Sequence, residues 1–274
     1  MMENTLKKRI YVLIPAYNEE ESLPLVLAVI PKVWVREVIV CDNGSTDRTV
    51  EAARLNGATV VSAPQRGYGS ACLAGIRYLQ SLPSSEQPEI VVFLDGDYSD
   101  YPEDLPNVVG PILNDGKDMV IGSRMLGLLE PGAMTPPQRF GNWLAPALIH
   151  WLYGYRFTDL GPFRAIRWEC LLTLNMQDPN YGWTVEMQVR AVQHGLDCAE
   201  VPVRYRKRAG GKSKVSGTVK GVILAGWKII TTIFILHFKS VGSKSVTNKP
   251  VTNKPVTNKP VTNKPVTSSP IHKT

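Results

Sequence analysis

The chain has 274 residues, of which 43% are apolar, enough for one large core or two small ones. Its formal net charge of +7 is concentrated at one end: residues 239–274 carry seven lysines and no acid, so the rest sums to zero (7 − 7). That distribution argues against a globally basic nucleic-acid binder. The isolated Cys41, Cys72, Cys170 and Cys198 argue against a disulfide scaffold or a zinc site and for a reducing compartment.

In chain order, residues 10–15 (IYVLIP) form an apolar run too short for a signal peptide or a membrane span. They suit a strand buried on both faces. Residues 22–30 predict a helix, with Leu23, Val26, Leu27 and Ile30 on one stripe. Residues 37–41 predict a second strand that stops at Asp42, and Ser45 is expected to cap a helix over 46–56. A third strand is expected at 59–61, and Gly67-Tyr68-Gly69-Ser70 opens a helix reaching Leu82. Residues 90–94 (IVVFL) are the strongest strand signal, ending abruptly at Asp95-Gly96-Asp97. Asp104 reads as the cap of a helix over 105–113, and a strand at 119–122 ends at Ser123-Arg124. Such alternation predicts an α/β fold, a mostly parallel central sheet flanked by helices. Ligands gather beyond the carboxyl ends of such strands, where Asp42, Asp95 and Arg124 fall.

The second half is less regular. A loop is expected at 127–138, a helix at 140–153, a polar connection at 159–167, a helix at 181–194 and a strand at 201–205. Arg204, Arg206, Lys207, Arg208, Lys212 and Lys214 surround Gly210-Gly211, a basic loop suited to phosphate contact. Residues 217–238 are long enough to span a bilayer, but Lys220 and Lys228 interrupt them. An interfacial helix burying Ile223, Ile230, Phe234 and Leu236 is the expectation. A soluble packing helix, a homo-oligomer contact and a true span are the alternatives. The VTNKP repeat from 246 to 265 forbids a helix and lacks core-forming residues, so disorder is expected there. The organisation expected is a catalytic domain over 1–216, a membrane-associated helix over 217–238 and a tail over 239–274.

Asp95-Gly96-Asp97 is either an ordinary turn or, by its place at the end of the strongest strand, a pair of carboxylates that carries chemistry. Side chains two apart in a regular strand point the same way, and two neighbouring carboxylates favour a cation beside them. Their hard oxygens suit Mg²⁺ or Mn²⁺, with a diphosphate completing the coordination. Asp42 either meets a ribose or base beyond its strand or only orders its own turn. No G-x-G-x-x-G follows the first strand and no phosphate loop occurs, which excludes the usual dehydrogenases and P-loop NTPases.

Seven segments in order, IPAYNEEESL (14–23), DNGSTDRT (42–49), GYGSACLAG (67–75), FLDGDYSDYPEDL (93–105), IGSR (121–124), DLGPFRAI (159–166) and RAGGKSKVSG (208–217), carry a resemblance. The chain resembles the family 2 glycosyltransferases of GT-A fold, in the branch of dolichyl-phosphate mannose synthase and bacterial polyprenyl-phosphate sugar transferases. The resemblance implies a nucleotide-diphospho-sugar transferase with a donor nucleoside pocket at Pro15, Tyr17, Glu19 and Asp42. It implies a metal on Asp95 and Asp97 and a phosphate contact at Arg124. Arg164, Ser213 and Lys214 are similar to residues about an acceptor phosphate, and Arg208 belongs to the same basic loop. An inverting transfer of a hexose to polyprenyl phosphate is expected, from a UDP-sugar in preference to a GDP-sugar. The site would then work on the cytoplasmic side of the cell membrane, attached peripherally or monotopically. A hydroxyl acceptor, such as a membrane lipid or cell-envelope glycan, would instead need a base, for which Asp159 and Glu186 are the candidates.

Overall fold

The computed structural model describes residues 9–210 and 219–243. Its first half follows the apolar runs: β1 (Ile10–Ala16), α1 (Leu23–Val29), β2 (Glu37–Asp42), α2 (Thr49–Leu55), β3 (Thr59–Ser62), α3 (Tyr68–Ser81) and β4 (Ile90–Phe93). A 3₁₀ turn at Pro102–Asp104 leads into α4 (Leu105–Asn114), and β5 (Met119–Ser123) follows. Then come α5 (Pro136–Tyr153), β6 (Arg164–Arg167), α6 (Trp168–Leu174), α7 (Trp183–Gln193), β7 (Cys198–Pro202) and α8 (Val219–Ser243).

The seven strands form one sheet in the order β3-β2-β1-β4-β6-β5-β7, parallel except for β6, which runs antiparallel to both β4 and β5. β1 has β2 on one side and β4 on the other. The chain order therefore reverses at the β1/β4 boundary, where helices on opposite faces leave a crevice beyond the strand tips. β1 and β4 are buried on both faces, as their uninterrupted apolar sequences require. One core layer lies under α3, α5, α6 and α7, with Leu13, Phe93 and Trp183 among its members, and the other lies under α1 and α4.

Several local expectations gave way to tertiary contacts. Ser45 does not cap α2: its hydroxyl accepts from the Asn18 amide at 3.0 Å, and the helix starts only at Thr49. Asp104 stands at the N-terminus of α4, but its carboxylate takes Arg204 at 2.7 Å instead of a helix amide. Thr135 forms a capping box with Gln138, so α5 begins within the expected loop. The expected connection at 159–167 contains β6, and α6 follows it directly. The arginines that flank Ala165 and Ile166 in RAIR conceal a central strand, because the fold supplies acceptors for both of them in place. α8 extends to Ser243, five positions beyond the expected 238 (243 − 238), and packs on α5 and α7. The repeat segment lies outside the described residues.

Candidate active site

Beyond the tips of β1 and β4 opens a cleft of about 570 Å³, within the range of small-ligand sites. Pro15, Tyr17 and Glu19 line it from the β1 side, Asp95 and Asp97 from the β4 side, and Arg124 from the β5 side. The strand ends at Phe93, so the two aspartates sit on a turn and not on a pleat. Tyr98, between Asp97 and Ser99, adopts a left-handed backbone conformation (φ 61°) that is unusual for an aromatic residue. Arg206 holds it there, with its guanidinium 3.4 Å from the ring centroid and its Nε donating to the Tyr98 carbonyl at 2.8 Å.

The two carboxylates are held differently. Asp95 accepts from the Tyr68 hydroxyl at 2.9 Å. Asp97 accepts from the Ser99 amide at 2.9 Å and its hydroxyl at 2.6 Å with one oxygen, and faces Arg208 at 3.3 Å with the other. Arg208 also binds Glu19, so it bridges the two banks of the cleft. Burial pushes the Asp95 carboxyl up to about 7, and the charges of Asp97 and Glu19 add to that, against the Tyr68 hydroxyl and Arg124. Two hard-oxygen groups that repel each other in a half-closed cleft fit a divalent cation, which would relieve the repulsion.

A pH dependence follows. A carboxyl whose folded pKa is raised keeps its stabilising contribution below the unfolded value, near 3.8, and loses it as pH rises through about 7. A cation needs the ionised form. Mn²⁺ affinity is therefore expected to climb by up to about tenfold per pH unit below 7 and to level off above it. Calorimetric Mn²⁺ titrations between pH 5.5 and 8 check this; affinity that stays flat or falls across that window contradicts it.

Other expected site residues are occupied elsewhere. Asp159 is fully buried and grips Arg124 through Nε at 2.8 Å and Nη2 at 2.6 Å, while also accepting from the Arg124 amide. Such a carboxylate orients the arginine and is not available as a base. Glu186 is also buried, accepting from the amides of Gln177 and Asp178 and from Arg190 at 2.8 Å. It anchors a turn instead of facing substrate. Arg164 lies in the central β6, wholly buried, donating to the carbonyls of Leu160, Gly161 and Thr184. It braces the floor of the cleft and is not offered to an acceptor phosphate. Asp42 accepts from the amides of Gly44 and Ser45, the turn-ordering alternative.

The described part of the basic run, up to residue 210, is likewise tied down. Arg204 and Arg206 stack on Tyr101 and are stitched to the 98–104 segment, so only Arg208 of the three reaches the carboxylates. Ser213 and Lys214 lie outside the described residues. Sequence reasoning gave no role to Asn43, Arg66, Tyr68 or Asn180, all of which line the cleft. Asn43 locks the turn by donating to the Ala63 and Gln65 carbonyls and accepting from Gly67, and Arg66 lies 4.1 Å over the Tyr17 ring. The signal for Asn43 and Tyr68 was the DNGS and GYGS motifs, whose polar members had no assigned partner; Arg66 and Asn180 lie outside both.

A mostly parallel sheet with a switch-point cleft, an acidic turn after β4 and arginines facing it is the GT-A architecture of glycosyltransferases. Comparison with known proteins agrees: the model described as glycosyl transferase family 2 matches residues 11–171, more than half of the chain. This protein belongs to that family, the glycosyltransferases. It is 36% identical to a dolichyl-phosphate hexose transferase of Haloferax volcanii, covering 73% of this chain and 83% of that protein. It is 30% identical to an undecaprenyl-phosphate mannosyltransferase of Micrococcus luteus, covering 78% and 90% respectively. Among solved structures, glucosyl-3-phosphoglycerate synthase from Mycobacterium tuberculosis, in complex with Mn²⁺, UDP and glucosyl-3-phosphoglycerate, matches with a TM-score of 0.66. Its identity is 25% over 84% of this chain and 80% of that one.

Proposed function

We propose that this glycosyltransferase moves a hexose from a UDP-sugar to a polyprenyl phosphate, with inversion at the anomeric carbon and with Mg²⁺ or Mn²⁺ bound by Asp95 and Asp97. The observation that carries the acceptor class is the state of the carboxylates: Asp159 and Glu186, the two candidate bases, are both buried in ion pairs. A hydroxyl acceptor needs a base, whereas a phosphate is already an anion and can attack unaided. Two relatives whose names specify lipid-phosphate acceptors support the same choice. The UDP donor rests on the nucleotide held by the glucosyl-3-phosphoglycerate synthase.

The chain's own groups then divide the work. Tyr17, Arg66 and Asn43 bound the end of the cleft suited to the nucleoside, with the Arg66–Tyr17 pair offering a flat surface to a base. Tyr68 orients Asp95, and Asp159 orients Arg124, so both charged groups are preorganised before substrate arrives. A bound divalent cation would supply charge neutralisation for the leaving diphosphate. Arg124 and Arg208 add positive charge beside it.

Membrane contact belongs to this proposal. Among the described residues no helix is long and apolar enough to cross a membrane. Yet α5 exposes Phe140, Trp143 and Trp151, and α8, packed against it, exposes Trp227, Ile235 and Phe238. Aromatic residues on such stripes suit the headgroup boundary of a bilayer, which favours peripheral attachment. One detail of the expected helix face changes. Leu236 faces the core, and Ile223 lies among residues whose side chains are not described.

The test is incubation of the full chain with a labelled UDP-hexose, Mn²⁺ and undecaprenyl phosphate in detergent. An acid-labile, β-linked lipid-phosphate sugar is expected. A retained α configuration, or transfer only to hydroxyl acceptors, would refute the proposal.

A further inference from the structure

A lysine in the middle of an apolar helix is costly unless it snorkels or is paired. Lys228 of α8 is paired: its Nζ lies 3.0 Å from Oδ2 of Asp178, whose side chain is only 5% exposed. The other oxygen of Asp178 accepts from the amides of Asn180 at 2.8 Å and Gly182 at 3.2 Å. One carboxylate thus closes the 178–182 turn on one side and receives α8 on the other. Asn180 and Tyr181 of this turn are walls of the cleft.

The turn is wedged against the donor side with no slack. The Pro179 carbonyl accepts from the amide and hydroxyl of Ser70 at 2.9 and 3.2 Å, which seats it on the first turn of α3. A Cβ at Gly69 would collide with the Asp178 carbonyl, and one at Gly182 would collide with the Asp178 carboxylate and Thr232 of α8. The same turn of α3 carries Tyr68, whose hydroxyl holds Asp95. Lys228, Asp178, Pro179, Ser70, Tyr68 and Asp95 therefore form a continuous series of contacts from the C-terminal helix to the acidic turn.

The geometry points to Lys228 as a positioning residue for the donor site, acting through Asp178 on the 178–182 turn. The inference rests on the nucleotide-sugar reading given above and adds that α8 is part of the donor cleft, not only a surface attachment. The ion pair, half screened at the lysine, sets where the wall stands and steadies the turn that Asp178 closes with its two amide bonds.

The experiment is calorimetric binding of UDP with Mn²⁺ to the full chain and to Lys228→Met, Lys228→Arg, Asp178→Asn and the Lys228→Met/Asp178→Asn double variant. Loss of the pair is expected to weaken UDP by about tenfold in each single variant, with the double variant no weaker than the worse single. Lys228→Arg, which keeps the charge, is expected to bind within about twofold of wild type. Hydrogen exchange at the Asn180 and Gly182 amides should quicken in Lys228→Met, while the midpoint of thermal unfolding moves little. Unchanged UDP affinity in Lys228→Met overturns the inference, as do additive losses in the double variant. A stability loss not accompanied by weaker UDP binding overturns it too, since that is what a merely structural pair would produce. Should Lys228→Met fail to fold, Asp178→Asn and Lys228→Arg decide by the same two criteria. A wild-type chain that binds neither UDP nor GDP sinks the donor reading itself; wild-type binding with unaffected variants sinks only the role of Lys228.

Discussion

Asp97→Ala is expected to lower kcat/KM for hexose transfer by about 10³-fold and to abolish the stabilisation of the protein by Mn²⁺. The carboxylate is partly exposed and bonds locally to Ser99, so its removal leaves the fold intact. What it removes is half of an oxygen pair whose repulsion adds to burial in raising the Asp95 carboxyl. Without Asp97 the part of that rise due to its charge is lost while burial still holds the carboxyl up, and Arg208 keeps Glu19 and the Gly210 carbonyl as partners. Steady-state kinetics at several Mn²⁺ concentrations, with thermal unfolding in parallel, decide the matter. A variant that kept metal-dependent transfer would remove the cation from the acidic turn.

Asp159→Ala is expected to act mainly on stability, costing about 3–5 kcal/mol, because it leaves the Arg124 guanidinium without its bidentate partner in a buried position. For a chain of this size that is a fall of roughly 10 °C in the unfolding midpoint. Burial works against the charge on Arg124, but the Asp159 carboxylate outweighs it and pulls its ionisation above the ordinary arginine range. Loss of activity should track loss of Arg124 orientation, so Arg124→Ala and Asp159→Ala should have similar, non-additive effects on kcat/KM. If Asp159 were instead a general base, its alanine variant would keep its stability and lose kcat alone. Differential scanning calorimetry beside the kinetics separates the two.

The same residue marks the boundary of what sequence reasoning could see. Asp159 and Glu186 stood out as carboxylates in suggestive motifs, but the functional inference required them to be unpaired. Arg124 reaches Asp159 from the end of β5, a separation no local pattern records, and the 177–178 amides reach Glu186 from the turn before α7; only Arg190, one helical turn on, was legible as a partner of Glu186. Arg164 failed for a related reason. Its segment reads as a polar connection, yet β4 and β5 enclose it as an antiparallel strand, and three carbonyls take the guanidinium. A charge whose neutralising groups come from distant chain is indistinguishable, in sequence, from one that faces a ligand. Asp104 and Ser45 illustrate the small-scale version: both occupy helix-cap positions by pattern, and both were claimed by a neighbour with a better-placed donor.

By itself the sequence determined the alternating strands and helices, the parallel character of the sheet, the acidic turn after the strongest strand and the membership in the glycosyltransferases. These follow from periodicity and from motifs a few residues long, where the physics is local: apolar runs must be buried, and abrupt polar ends must meet solvent or ligand. Only the tertiary structure decided which charges remain available in the cleft. Hydrogen bonding within the fold occupied Asp159, Glu186 and Arg164, left Asp95 and Asp97 lining the cleft beside the Arg124 that Asp159 orients, and drew Lys228 from an expected lipid interface to Asp178. Burying a charge is so costly that each one finds the best partner the fold brings within reach, and that partner is set by topology, not by neighbours in the chain.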